Sequence, residues 1–108
     1  MNKEIQKACA HFAQVVESQL KRLEKMKAQG DFLDYKTLNP IIGICGGDGI
    51  GPVITAEAHR MLEYLLADEV KAGKVKFKVI EGLTIENRIA AGKAIPDDVL
   101  AEIKSCHV

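Results

Sequence analysis

ICGGDGIGPVIT, residues 44 to 55, places four glycines within six residues, between an apolar run and a segment of helical spacing. The run before it, IIGIC at residues 41 to 45, is short and continuously apolar. That is the pattern of a strand covered on both faces in a parallel sheet. GGDGIG then reads as a loop. Pro52 stands where a helix would begin, its φ already fixed for the first turn and its missing N–H not needed there. Ile54, Ala58, Met61 and Leu65 recur at helical spacing, so the helix is expected to run to about Leu66 or a little beyond.

Downstream the grammar repeats. KAGK at residues 71 to 74 breaks the helix, and VKFKVI at 75 to 80 alternates Val75, Phe77 and Val79 with Lys74, Lys76 and Lys78. A period of two predicts a strand with the valine and phenylalanine face covered and the lysine face wetter. IENRIAAG, residues 85 to 92, reads as a short helix ended by Gly92. IPDDVLAEIKSC, residues 95 to 106, reads as another, with Asp97 and Asp98 in its first turn and Lys104 in its last, each favourable to the helix dipole. Strand, helix, strand, helix is the unit of an α/β sheet. A third strand is expected to start at His107 and Val108. Two strands alone would leave much of a sheet unpaired, so the expectation is a piece of a longer chain or a sheet completed by a partner.

Upstream, KEIQKACAHFAQVVESQLKRLEKMKA at residues 3 to 28 contains no Gly or Pro and many good helix formers. Ile5, Cys9, Phe12, Val16, Gln19, Leu23 and Met26 follow one another by alternating steps of four and three, the seam of an amphipathic helix. Ala8, Val15 and Leu20 widen that stripe beyond a strict coiled-coil seam. Gly30 suits the helix end, and DFLDYKTLNP, residues 31 to 40, reads as a packed connector. The chain therefore divides into a helical extension and connector, residues 1–40, and an incomplete α/β domain, residues 41–108. A long helix whose apolar face has no partner of its own predicts a homo-oligomer formed through it.

Composition removes several classes of function. Fifteen basic and fifteen acidic side chains among 108 residues leave no net field to draw the chain to nucleic acid or to an anionic membrane. Hydrophobic residues at 47% are too many for a disordered chain. No apolar run approaches the roughly 20 residues of a membrane span, and MNKEIQKACAHF has no apolar stretch of the kind a secretory leader carries. The expected location is cytoplasmic. Cys9, Cys45 and Cys106 are far apart, without metal-ligand spacing, and read as reduced thiols.

The glycine loop is the one place where residue types point to a ligand. Glycines permit positive φ and close approach, and the free N–H groups of a first helical turn favour negative charge. The spacing of Gly46, Gly47, Gly49 and Gly51 does not match the GxGxxG dinucleotide fingerprint, and no Walker lysine follows. From these residues alone the loop is either a ligand cradle or a tight turn.

GDGIGP, residues 47 to 52, after a short apolar strand and before a helix, resembles the N-terminal signature of the β-decarboxylating dehydrogenases, the isocitrate and isopropylmalate dehydrogenase family. EGLTIENRIAAGKAIPDDVLAEIKSCHV, residues 81 to 108, is similar to that family's second strand and the helix pair leading to its third. The resemblance covers residues 41 to 108. It implies a parallel-rich α/β sheet of non-Rossmann topology. It also implies an activity: oxidation of a 2-hydroxy acid by NAD or NADP with loss of carbon dioxide, assisted by Mg²⁺ or Mn²⁺. Isocitrate is the first expectation for the small-molecule substrate and isopropylmalate the second. In such enzymes the loop borders the dinucleotide, so Asp48, Gly49 and Ile50 are the expected cofactor contacts, with Ile50 against the adenosine half.

Val53 departs from the family, which usually has an acidic residue there. The family's substrate-gripping serine and arginines, its catalytic tyrosine and lysine, and its metal-binding aspartates have no counterpart in these residues, so no catalytic or metal-ligating residue is expected among them. The alternative is a non-catalytic assembly protein derived from that fold and completed by a partner chain. His11 reads as a surface or interface side chain, His59 as an outward-facing one, and His107 lies at the start of the expected strand. The lysine stripe at 74, 76 and 78 reads as a solvated face.

Overall fold

The computed structural model describes residues 2–30 and 33–108, in two compact units, Met1–Leu33 and Asp34–Val108. The chain is an α/β protein with a long N-terminal helix and a two-stranded parallel sheet. No helix among the described residues is long and apolar enough to cross a membrane.

The first unit is one helix, α1 (Lys3–Gln29). Its start is capped by the Asn2 side chain, which accepts from the Glu4 N–H at 2.9 Å. At its end Gly30 takes a positive φ of 75° that a side chain would resist. Ile5, Phe12, Leu20, Leu23 and Met26 are all exposed along it.

The second unit runs β1 (Ile41–Cys45), α2 (Gly51–Leu65), α3 (Ala67–Lys71), β2 (Lys76–Ile80), α4 (Ile85–Ala91) and α5 (Asp97–Lys104). The strands are parallel and pair from Ile41 with Lys76 to Cys45 with Ile80. A parallel pair needs a crossover, and α2 with α3 provides it. Leu66 interrupts these helices with φ −108° and ψ 18°. The chain continues as helix because Asp68 and Glu69 then stand in a new first turn. Gly73, at φ 73°, turns it back toward β2.

The free edge of β1 is also used. His107 N–H donates to the Ile41 carbonyl at 2.9 Å, Val108 N–H to the same oxygen at 3.3 Å, and Gly43 N–H to the Val108 carbonyl at 2.8 Å. The last two flank Ile42 as a parallel ladder does, with Val108 opposite. Residues 107 and 108 thus lie along β1 on the side away from β2, where the sequence places the start of a third strand. The His107 ring adds a clasp, its Nδ1 accepting from the Ile41 N–H at 3.0 Å. Tyr35 donates its hydroxyl to the His107 carbonyl at 3.3 Å, which ties the second half of the connector to the α/β unit. Asp31 and Phe32, the connector's first two residues, lie outside the described residues.

Helices cover both faces of the sheet. The face bearing Phe77 meets α2, where His59 sets its ring edge-on at 4.8 Å between centroids. The opposite face bears Lys78, whose ammonium reaches Ser105 Oγ at 3.2 Å just beyond α5. Contrary to the alternation, Val79 on the face expected to be covered is 59% exposed, whereas Ile80, on the lysine face, is 3% exposed and with Val99 forms the core. Lys78 carries its charge outward on an apolar stem, so α5 can close over that face. On the other face α2 leaves the end of β2 uncovered.

Gly43 stands where strand and α5 layer approach most closely. A Cβ there would lie 3.0 Å from both Cys106 Sγ and Ile80 Cδ1. Gly43→Val is therefore expected to overpack this contact and cost about 1–3 kcal/mol, read as a lower urea midpoint at unchanged slope. An unchanged midpoint would mean that the core is looser than described.

Candidate functional site

The loop from Gly46 to Ile50 leaves β1 at its carboxyl end and delivers the chain to α2. Gly47 and Gly49 have φ of 67° and 59°, the left-handed region. Gly51 is constrained differently, since any Cβ on it would overlap the Gly46 carbonyl oxygen. The Gly51 N–H closes the turn on the Asp48 carbonyl at 3.0 Å.

Asp48 then locks the loop to the next βα connection. Its Oδ2 accepts from the Ile85 N–H at 2.7 Å, the first residue of α4. A carboxylate at a helix N-terminus satisfies an otherwise unpaired donor and complements the dipole. Thr84 caps the same helix by accepting from the Asn87 N–H at 3.4 Å, while Asn87 Nδ2 donates to the Gly82 carbonyl at 3.0 Å. Two loops from two strand ends are thereby joined by one charged hydrogen bond.

Between them lies a cleft of about 330 Å³. Ile44 and Val79 form part of its floor, Gly46, Gly47 and Pro52 one rim, and Gly82 to Thr84 the other. Thr55 and His59 of α2 supply polar groups along the wall, and Glu81 stands at the end of β2. It opens at the carboxyl ends of parallel strands, where ligands bind in open α/β sheets. Its apolar floor with few polar groups is the usual make-up of a small-molecule pocket.

Of the residues the sequence singles out, Asp48, Gly49 and Ile50 sit together at the loop's tip, outside the cleft lining. Asp48 is engaged with α4, Gly49 has open space around a would-be Cβ, and Ile50 is 74% exposed. The cleft residues that sequence reasoning passes over are Thr55, His59, Glu81 and Thr84. His59 differs from its expected outward position, since its side chain is 20% exposed and turned onto β2. Its Nε2 is buried without a hydrogen bond; Glu63 Oε1 lies 3.3 Å away but out of line for one. The spacing of four between Thr55 and His59 carried the signal, because it puts both on one helix face. Among the described residues, no group of three His, Cys, Asp or Glu side chains is placed to hold a metal ion.

Asp48→Ala is expected to release the α4 N-terminus. The loss should be about 0.5–1.5 kcal/mol, with faster hydrogen exchange at the Ile85 amide, and Asp48→Asn should restore much of it. An Ile85 amide that exchanges at the same rate in Asp48→Ala would remove the carboxylate from this role.

Compared with protein-family models, with curated proteins and with solved structures, the chain matches none.

Proposed function

We propose that residues 41–108 form the nucleotide-bordering end of an NAD- or NADP-dependent decarboxylating dehydrogenase, acting on isocitrate or, second, isopropylmalate. The observation that carries this reading is the position of the cleft. It opens at the carboxyl ends of two parallel strands, with Gly46, Gly47 and Pro52 of the glycine-loop stretch as one wall and the start of α2 beside it.

The residues present fit part of such a cofactor. A cleft of about 330 Å³ accommodates one ring with its sugar and leaves the remainder of a dinucleotide outside. Gly46 and Gly47 give it a wall without side chains, Thr55 and Thr84 offer hydroxyls that donate or accept, and Ile44 and Val79 give an apolar surface for a planar ring. Ile50, outside the cleft and exposed, is free to cover an adenosine from the loop's tip. At the α2 N-terminus Pro52 has no N–H, and Gly51 and Ile54 already donate to Asp48 and Ile50, which leaves the Val53 N–H as the first-turn donor for a phosphate. The nicotinamide, when bound, accepts the hydride. This chain's contribution is to hold and orient the other end, and the Asp48 bond keeps both loops in place while it does so.

A metal does not fit these residues, since no ligand set is assembled among those described. In this reading Mg²⁺ or Mn²⁺ and the reacting centre belong to groups outside residues 41–108.

Two measurements test the reading. Gly49→Val, introduced into the full-length protein, should lower dinucleotide affinity at least tenfold by calorimetry. A branched side chain resists φ of 59°, although no neighbour would obstruct it. The unmodified full-length protein should reduce NAD or NADP with isocitrate and Mg²⁺. Reduction with neither isocitrate nor isopropylmalate, together with no dinucleotide binding, would overturn the assignment.

A further inference from the structure

We infer that α1 pairs with α1 of a second copy of this chain, and that the two helices run antiparallel with Phe12 opposite the partner's Val16. The stripe Ile5, Cys9, Phe12, Val16, Gln19, Leu23 and Met26 repeats every seven residues across three turns of the pattern. A seven-residue repeat suits a helix paired with another helix, and Ala8, Val15 and Leu20 broaden the apolar face beyond the two seam positions. Ile5, Phe12, Val16, Leu23 and Met26 are each at least 40% exposed.

The size of the face suits a second helix of the same length. In the register that sets Phe12 against the partner's Val16 the two helices overlap over residues 3–25, about 35 Å. A stripe about 10 Å wide gives roughly 350 Å² in projection, and side-chain relief brings the buried area toward the roughly 600 Å² per partner at the lower end of stable interfaces. The flanks are also self-complementary. Gln6, Ala8, Ala13, Val15 and Leu20 border the seam and carry no charge, so two copies meet there without desolvating an ion.

Charge fixes the direction. Arg22 and Lys27 are the charged residues at the flanking positions. In a parallel, in-register pair each Arg22 would face the partner's Lys27, two like-charge contacts across one end. Reversing one helix sets Arg22 beside the partner's Ala8 and carries Lys27 past the end of the seam. It also opposes the two helix dipoles. The register that keeps Ile5 within the seam sets it against the partner's Leu23, and Cys9 against the partner's Gln19. The single polar seam residue then meets a thiol and not an aliphatic side chain, and Ala13 meets the partner's Ala13 where the helices cross the symmetry axis.

The test uses the full-length protein. Sedimentation equilibrium should give twice the mass of one chain. Phe12→Glu with Val16→Glu should weaken the dimer at least a hundredfold, with the α/β unit's amide protection unchanged; both side chains are exposed within the chain. Direction is read by oxidation in a Cys45→Ala, Cys106→Ala background. Cys9 alone should give no cross-linked dimer, and adding Gln19→Cys should give one efficiently. A monomer mass, a dimer indifferent to the two glutamates, or cross-linking through Cys9 alone would overturn the pairing as stated.

Discussion

Everything in the α/β unit hangs on β1 having a backbone partner at both edges. On one side it pairs residue for residue with β2, and on the other it exchanges hydrogen bonds with His107 and Val108. A two-stranded sheet is marginal in water, and a third backbone along the other edge makes β1 a central strand. That position explains its sequence. Ile41, Ile42 and Ile44 are covered from two faces, and Gly43 is small because Cys106 and Ile80 come close to it. The His107 ring reinforces the arrangement by accepting from the Ile41 N–H that begins the strand.

With β1 central, the loops at its carboxyl end acquire a fixed frame. The glycine loop leaves β1, the Gly82 to Thr84 loop leaves β2, and Asp48 joins them through the first N–H of α4. This one bond lies at the tip of the site, where the sequence expects cofactor contacts. A carboxylate that accepts from a helix N-terminus in this way is a positioning group. The cleft it helps to frame is lined by other residues, chiefly Thr55, His59 and Thr84.

Much of this was legible in the sequence because local rules sufficed. The apolar run IIGIC became β1 with the expected bounds, and α1 runs over nearly the expected residues because nothing in them breaks a helix. Gly92 ends α4 in the left-handed conformation, φ 61°, as a glycine after a short helix suggests. Where the alternation rule failed, at Val79 and Ile80, the reason was tertiary. A two-residue period says that the faces differ, but which face is better covered depends on where α5 lies.

The sequence by itself determined the order of strands and helices and the glycine loop between β1 and α2, since each rests on neighbours in the chain: backbone conformation, helix capping and side-chain period. Only the tertiary structure decided that Asp48 meets Ile85, that His59 turns inward onto Phe77, and that His107 clasps the start of β1. Those pairs are separated by 37, 18 and 66 positions. No periodicity connects residues so far apart. They meet because a parallel sheet brings successive strand ends to one side, and because the edge of β1 left a donor and an acceptor for His107 to satisfy.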